Sequence, residues 1–350
     1  MRIEQLEQKL GSSWPAIRKA KGTTQSRRET LEAAFRGRVA SDTTVVLFGS
    51  IAREEMTSGS DADWILLVDG QAFPEHEDQT RDVARVLEKN GFGEPGRSGI
   101  FGGMVASHSL VHDIGGDDDT NANTTRRVLL LLESFPIGDK SAFRRVRQQI
   151  LNRYVRDDRG LLFGSGTLRV PRFLLNDFTR YWRTVTVDFV YKQRSDAGKN
   201  WALRNAKLRM SRKLVFASGL LRCFLCQLDE EAQDAREALI SKHDPTRMLA
   251  YMESQLDHTP LQILARAVSR PGIPDEVARK LFNSYESFLA LIDDDASRKH
   301  LATLLPEDIP ASSVWKAVRK MSQDFKEGLQ GLFFESDKEL RDLTIEYGVF

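Results

Sequence analysis

The stretch Val45-Val-Leu-Phe-Gly-Ser50, followed after ten residues by Asp61-Ala-Asp-Trp-Ile-Leu-Leu67, decides the fold of the front of this chain. Each half contains a short apolar run, which is typical of a buried strand. Two aspartates separated by one residue at the start of a strand point to the same face of the sheet, because strand side chains alternate. The sequence therefore predicts one strand that ends at Gly49 and Ser50 and another that starts beside Asp61 and Asp63.

These two half-motifs also predict phosphate and metal chemistry. Gly49 has no side chain, so a phosphate can approach the backbone closely, and the hydroxyl of Ser50 can donate to phosphate oxygens. Paired carboxylates repel each other, and a hard divalent cation with oxygen ligands relieves that repulsion. We therefore expect Asp61 and Asp63 to bind Mg2+, although aspartate and serine are also common in surface turns.

The overall composition is that of an ordinary globular protein. The 350 residues include 51 Lys plus Arg and 50 Asp plus Glu, for a net charge of +1, with 41% hydrophobic and 29% charged residues. This composition excludes disordered, collagen and coiled-coil chains, and the charge balance argues against a generic nucleic-acid coat. The polar start and the lack of an apolar run of about 18 residues favour a cytoplasmic protein. Cys223 and Cys226 are expected to be two buried helical side chains.

The hydrophobic pattern changes along the chain. After the two strands, residues 74–90 predict an amphipathic helix, and Ser109–Ile114 predicts a further strand closed by two glycines. From Thr124 onward the pattern is nearly all helical. We therefore predict an α+β fold with a mixed front domain at residues 1–135 and a larger all-helical domain at residues 136–350.

The helical part contains the most basic segment of the chain, within residues 192–213. Eight cations stand there against a single acid, Asp196: Lys192, Arg194, Lys199, Arg204, Lys207, Arg209, Arg212 and Lys213. Such a run is also typical of a solvated helix face. We favour nucleotide binding, chiefly by Lys207, Arg212 and Lys213, because the acidic side of the site lacks any other cation. Trp201 in the same segment would add a stacking surface.

The Gly-Ser, ten-residue spacer and Asp-x-Asp pattern resembles the DNA polymerase β-like nucleotidyltransferase superfamily. The resemblance covers residues 45–70 strongly and extends more loosely to about residue 140. It implies that Gly49 and Ser50 hold a nucleoside triphosphate, that two Mg2+ ions bind Asp61 and Asp63, and that a nucleoside monophosphate is transferred with release of pyrophosphate.

The superfamily also has a third carboxylate on a later strand. Val111-His-Asp-Ile-Gly115 offers Asp113 for this role, and the run Asp117-Asp-Asp119 is a competing source. The stretch around Asp113 is similar to the Trp-Asp-Ile-Gly stretch of bacterial protein uridylyltransferases, as is Leu131-Leu-Glu-Ser134 further on. The sequence favours Asp113 as the third catalytic residue and metal ligand.

The domain order, the spacing of the motif, the Asp-Asp-Thr-Asn loop and Tyr347 near the end resemble the Hailong anti-phage nucleotidyltransferases. That resemblance implies template-independent synthesis of short single-stranded deoxyadenylate from dATP, primed on the Tyr347 hydroxyl, together with a membrane effector partner.

Three alternatives remain open at this point. They are a transferase that modifies a protein or a small molecule, a synthase of cyclic oligonucleotide second messengers, and an inactive nucleotide-binding regulator. The numerous amphipathic helices also favour a homodimer.

Overall fold

The structure, a computed structural model, describes residues 3–93, 99–195 and 200–349. These residues form one sheet with strand order β3-β2-β1-β4. The strands are β1 (Thr43–Phe48), β2 (Asp63–Val68), β3 (Gly103–Ala106) and β4 (Ser134–Ile137). β1 is antiparallel to both β2 and β4, whereas β3 runs parallel to β2. The mixed sheet confirms the predicted α+β class and the two strands of the motif.

Helices precede the sheet and connect its strands. They are α1 (Ile3–Leu10), α2 (Pro15–Phe35), α3 (Ser50–Arg53), α4 (Pro74–Lys89), α5 (Ser107–Val111) and α6 (Asn121–Leu132). α4 confirms the amphipathic helix expected at residues 74–90.

The remainder of the described chain is helical, as predicted. It contains α7 (Ser141–Arg156), α8 (Arg159–Phe163), α9 (Arg172–Ser195), α10 (Trp201–Lys207), α11 (Lys213–Leu228), α12 (Gln233–Lys242), α13 (Thr246–Leu256), α14 (Pro260–Val268), α15 (Asp275–Asp293), α16 (Asp295–Thr303), α17 (Ser313–Gln330) and α18 (Lys338–Leu343). π-helical segments occupy Leu208–Arg212, Gly331–Ser336 and Thr344–Val349, and 3-10 turns occupy Glu230–Ala232 and Pro306–Asp308. Cys223 and Cys226 are buried on α11, as expected. No helix in the described ranges is long and apolar enough to cross a membrane.

The two central strands divide their side chains between two hydrophobic clusters. Val46, Phe48, Ile65 and Leu67 belong to a large cluster that continues through the helical part, whereas Val45, Leu47, Trp64 and Leu66 belong to a smaller one with α2 and α4. Because strand side chains alternate, Asp63 falls on the same side as Ile65 and Leu67. The first residue of β2 therefore faces the helical part of the molecule.

The N-terminal helices pack against the helical part. Trp14, just before α2, stacks on Phe282 of α15 with ring centroids 4.7 Å apart. The carboxylate of Glu286 accepts hydrogen bonds from the backbone N–H groups of Ala16 and Ile17 at 2.7 and 2.9 Å. These contacts join the sheet-containing part and the helical part across one core.

The strand predicted at Ser109–Ile114 is wrong, because the short helix α5 occupies Ser107–Val111. The strand that pairs with β2 comes earlier, at Gly103–Ala106, and Gly102 donates its N–H to the Trp64 carbonyl at 2.7 Å beside it. Two adjacent buried residues, Leu110 and Val111, fit a short helix as well as a strand. The apolar pattern of this segment was therefore ambiguous.

The nearly all-helical pattern predicted after Thr124 is interrupted once, by β4. β4 is a four-residue edge strand that contains Pro136, and proline is tolerated at a sheet edge. Because β4 pairs with β1, the sheet includes residues on both sides of the predicted domain boundary at position 135.

Candidate active site

The candidate site lies at the sheet edge where β1 ends. Phe48, the last residue of β1, is paired with Asp63 on one side and with Ser134 on the other. The register therefore brings the Gly49-Ser50 turn, the start of β2 and the residue before β4 to the same edge. That last residue is Glu133. We call Asp61, Asp63 and Glu133 the acid edge.

Gly49 makes the sharp turn from β1 into α3. Its backbone has φ +78° and ψ −142°, a conformation that side chains with a Cβ rarely adopt. In the described part of the chain, no atom outside the neighbouring residues lies within 4 Å of the position that a Cβ would take, so the space beside this glycine is open. Glycine is needed here for the turn, and the same turn leaves room for a ligand beside Ser50.

The spacer between the two half-motifs is held by the helical part. Arg298 of α16 donates to the carbonyl of Gly59 and lies 3.4 Å from the Thr57 hydroxyl. Ser58 donates its backbone N–H to Asp293 at 3.2 Å and its hydroxyl to Asp295 at 2.9 Å. Helices far away in sequence thus position the loop that carries Asp61.

Asp63 is the carboxylate with the most unfavourable surroundings at this edge. Burial raises its pKa, and the negative charges of Glu133 and Asp61 raise it further. The positive charges of Arg212 and Lys207 act in the opposite direction. Three carboxylates and two cations therefore act on each other here.

Glu133 is the acid that the sequence-based selection missed. Its side chain is 9% exposed and accepts a hydrogen bond from Arg53, which also donates to Glu55 at 2.8 Å. The signal was present, since Glu133 ends the apolar run Leu129–Leu132 and lies in the stretch that resembles the uridylyltransferases. Its place beside Asp63 depends on β4 pairing with β1, which the helical pattern concealed.

The opposing cations come from the junction of α10 and α11. Lys207 precedes the π-helical segment Leu208–Arg212, and Arg212 is its last residue. Residues five apart lie on nearly the same side of a π-helix, whereas in an α-helix they point well apart. This local winding turns both cations toward Asp63.

The pKa of the Lys207 ammonium group is lower than usual. Burial lowers its pKa to about 8, and the nearby positive charge of Arg298 adds to the effect, whereas Asp61 opposes it. A partly desolvated cation beside carboxylates is suited to binding a phosphate oxygen.

Tyr181 of α9 completes the surroundings of the acid edge. Its ring is buried, and burial together with the charge of Glu133 raises its pKa far above the ordinary value. Arg212, Arg53 and Asp63 also act on its hydroxyl. The α9 pattern gave no reason to select this tyrosine over its neighbours.

The remaining predicted residues lie elsewhere. Burial lowers the pKa of Lys213, and the charges of Arg209 and Lys326 lower it further, so the groups that act on it differ from those that act on Lys207. Trp201 packs on Trp315 with ring centroids 5.1 Å apart, so it is not a free stacking surface. Lys199 of the basic segment is outside the described residues.

Tyr347 lies in the last π-helical segment, where the guanidinium of Arg172 is 5.9 Å from its ring centroid. Burial raises the pKa of its hydroxyl to about 12, with Glu346 adding to the effect. The ring lines a groove on α9 together with Arg180 and Asp188.

Asp113 is partly exposed and follows α5 by two residues. Its expected position on a strand is therefore wrong, although its proposed role as the third carboxylate is a separate question. The negative charges that raise the pKa of Asp63 come from Glu133 and Asp61.

The competing run Asp117–Asp119 ends in a buried ion cluster. Arg127 donates to Asp119 at 2.8 and 3.1 Å and to Asp177 at 2.6 and 3.1 Å, and its side chain is fully buried. Asp119 also accepts from Arg180 at 2.6 Å, and Tyr154 donates to Asp177. We call Asp119, Arg127, Tyr154, Asp177 and Arg180 the Arg127 cluster. Two arginines neutralise Asp119 there, so this carboxylate has a structural role.

The donor set at the acid edge is suited to a hard divalent cation. Asp61 and Asp63 present carboxylate oxygens, the ligands that Mg2+ prefers, and their mutual repulsion would be relieved by a cation. Within residues 3–93, 99–195 and 200–349, no three His, Cys, Asp or Glu side chains form a ready-made metal cluster. Glu133 is engaged by Arg53. The pair Asp61 and Asp63 therefore has the ligand chemistry that Mg2+ requires, and Glu133 is a further carboxylate at the same edge.

The geometry agrees with a comparison to known families. A family model described as a nucleotidyltransferase domain matches residues 28–91. The matched segment runs from within α2 to just beyond α4, so it includes both half-motifs. No curated protein matches this chain. The Gly49-Ser50 turn and the Asp61–Asp63 pair therefore lie in the segment that is similar to a nucleotidyltransferase domain.

Proposed function

We propose that this protein is a template-independent nucleotidyltransferase that uses Mg2+ and a nucleoside triphosphate, with its reaction centre at the acid edge. The observation that carries the proposal is the meeting of Asp61, Asp63 and Glu133 at one sheet edge, opposite Lys207 and Arg212. In the proposed transfer, an acceptor hydroxyl forms a bond to the α-phosphorus. The bond from that phosphorus to the bridging oxygen breaks, and pyrophosphate leaves.

Each side chain has a distinct part in this proposal. Asp61 and Asp63 would hold two Mg2+ ions, which when bound offset charge on the phosphate oxygens. Ser50, Lys207 and Arg212 bind the β- and γ-phosphates and steady the pyrophosphate as it leaves. Glu133 is the third carboxylate in place of Asp113, and it accepts the proton of the attacking hydroxyl. Arg53 holds Glu133 in position through their ion pair.

The acceptor and product are proposed from the resemblance to the Hailong enzymes. The preferred substrate is dATP, the product is a short single-stranded deoxyadenylate, and the role is anti-phage defence. Tyr347 would be the primer, and it lines the groove on α9. A cytoplasmic homodimer with a membrane effector partner completes the proposal.

Incubation of the purified chain with Mg2+ and each labelled NTP or dNTP in turn, followed by a denaturing gel and a pyrophosphate assay, tests the activity. We expect pyrophosphate release and a ladder of short products with dATP. A single added nucleotide on a protein or small molecule would indicate a modifying transferase, and phosphatase-resistant products would indicate a cyclic-oligonucleotide synthase.

The double substitution Asp61→Ala with Asp63→Ala provides the matched negative control. It should abolish pyrophosphate release and leave the circular dichroism spectrum and melting temperature intact, because both residues sit at a sheet edge and support no core packing. Normal turnover in this variant would remove the proposed function.

The primer is tested on the C-terminal peptide. Mass spectrometry after incubation with dATP should show nucleotide adducts on the peptide that contains Tyr347, and Tyr347→Phe should remove them. If the peptide stays unmodified in a preparation that releases pyrophosphate, Tyr347 is not the acceptor. The proposal for the reaction centre is then unaffected.

A further inference from the structure

A groove of about 470 Å³ runs along α9. Its volume lies in the range of ordinary ligand sites. The side chains that give the groove its chemistry are Asn121, Asn176, Arg180, Arg183, Asp188 and Tyr347. They are amides, arginines, one carboxylate and one aromatic ring, a set suited to a polar ligand.

The groove continues along one face of α9. Residues 176, 180, 183, 184, 187 and 191 follow the helical spacing of three and four, so they share this face. At 1.5 Å per residue, the face from Asn176 to Tyr191 is about 22 Å long. Val187 is 68% exposed and Tyr191 is 69% exposed. Apolar and aromatic side chains therefore lie exposed beyond the two arginines.

The arginines leave positive charge open to a ligand. Arg180 contacts Asp119 but its side chain is still 36% exposed. Arg183 is exposed, and in the described part of the chain it forms no ion pair. Asp188 is the carboxylate that lines the groove, at some distance along the helix from Arg180. The central part of the groove is therefore cationic.

The helix α9, which lines the groove, also carries residues on which the carboxylates of the acid edge act. Burial raises the pKa of Tyr181, which is next in sequence to Arg180, and the negative charges of Glu133 and Asp63 raise it further. Near the other end, the charges of Asp188 and Asp63 both act on Lys192. A molecule in the groove would therefore extend along a helix whose neighbouring face borders the carboxylates.

We propose that this face of α9 binds a short single-stranded oligonucleotide, the acceptor or product of the transfer; the proposal rests on the proposed function. Arg180 and Arg183 contact its phosphates, and the amides of Asn121 and Asn176 can both donate to and accept from base edges. Tyr191 and Tyr347 offer rings on which bases stack. An acidic peptide would use the arginines but gain less from the amides and rings.

Binding of a 5′-fluorescein-labelled single-stranded DNA of four nucleotides to the full chain, measured by fluorescence anisotropy in EDTA, tests the proposal. Arg183→Glu should raise the Kd by about tenfold or more, because a phosphate contact becomes a repulsion. Arg183→Lys should keep most of the affinity. The matched control is Arg85→Glu on α4, another exposed helical arginine, 66% exposed and away from the groove, which should leave the Kd unchanged.

Equal affinities in Arg183→Glu and Arg85→Glu would overturn the proposal. An acidic fluorescein-labelled peptide that binds through Arg183 while the DNA does not would also overturn it. Pyrophosphate release by the unaltered chain reports separately on the proposed function. If pyrophosphate is released but DNA binding does not depend on Arg183, the proposal for the groove is wrong and the proposed function stands. If DNA binding depends on Arg183 but no pyrophosphate is released, the proposed function is wrong and the groove is still a binding site for single-stranded DNA.

Discussion

The acid edge and the Arg127 cluster are built from the same residue types and differ in how their charges are balanced. In the Arg127 cluster, two buried carboxylates meet a buried arginine, a second arginine and a tyrosine hydroxyl, with hydrogen bonds between them. At the acid edge, burial and two carboxylate neighbours raise the pKa of Asp63, and the positive charges of Lys207 and Arg212 only partly offset this. Charges joined by direct hydrogen bonds hold elements together, whereas a buried carboxylate with a raised pKa gains from a cationic ligand.

This comparison separates two groups of aspartates that look alike in the sequence. Asp117–Asp119 and Asp61–Asp63 are both short acidic runs near glycine or serine. Only the structure shows that Asp119 is bound by Arg127 and Arg180, which lie 8 and 61 residues away. Asp119, which accepts hydrogen bonds from two arginines and from the Gly115 N–H, is therefore a poor metal ligand.

The largest expected effect on stability comes from opening the Arg127 cluster. Arg127→Met should lower the free energy of unfolding by about 3–5 kcal/mol, because it leaves Asp119 and Asp177 buried without their shared partner. Urea unfolding followed by circular dichroism measures this loss.

Arg126→Met is the matched control for that substitution. Its guanidinium donates to the backbone oxygens of Ile100 and Gly99, and it pairs with no carboxylate in the described residues. A loss below about 1 kcal/mol for Arg127→Met, or equal losses for both variants, would contradict the assignment of Arg127 as the centre of a buried cluster.

The third carboxylate is tested by a second pair. Glu133→Gln should lower the rate of pyrophosphate release by about 10²-fold, the magnitude of a lost catalytic acid–base group, with triphosphate binding retained. Asp113→Asn should change the rate little. The reverse result, with Asp113→Asn inactive and Glu133→Gln active, would restore the choice made from sequence.

The smallest effect is expected on the stability of the fold at acidic pH. Burial alone would raise the pKa of Asp119, but the hydrogen bonds from Arg127, the Gly115 N–H and Arg180 outweigh it and hold the pKa below 3.8. A carboxyl whose pKa is lower in the folded state stabilises the fold above its unfolded pKa and loses that contribution as the pH falls through the folded pKa. Urea unfolding from about pH 5 to about pH 2 should therefore show a steeper loss for the wild type than for Asp119→Asn.

The sequence predicted the half of the site that is local. Gly49, Ser50, Asp61 and Asp63 stand in one continuous stretch, and their strand alternation and turn chemistry depend on neighbours within a few residues. The α+β class and the helical remainder followed from hydrophobic periodicity in the same way.

The other half depends on tertiary packing. Glu133 reaches Asp63 because a four-residue edge strand pairs with β1, and Arg298 reaches Gly59 across 239 residues. Lys207 and Arg212 were selected for their charge, but their common orientation comes from a π-helical segment that the apolar pattern does not reveal. The wrong strand at Ser109–Ile114 has the same origin, because a short apolar run leaves strand and helix equally open.

The most direct measurement of the central claim applies one substitution to both regions, Asp63→Asn and Asp119→Asn, and records pyrophosphate release and thermal unfolding for each. Asp63→Asn should lose at least about 10²-fold in turnover with an unchanged or higher melting temperature, since it removes repulsion and a metal ligand. Asp119→Asn should lower the melting temperature, since it removes a paired charge. If Asp63→Asn turned over normally, or if Asp119→Asn lost turnover with an unchanged melting temperature, catalysis would not reside at the acid edge.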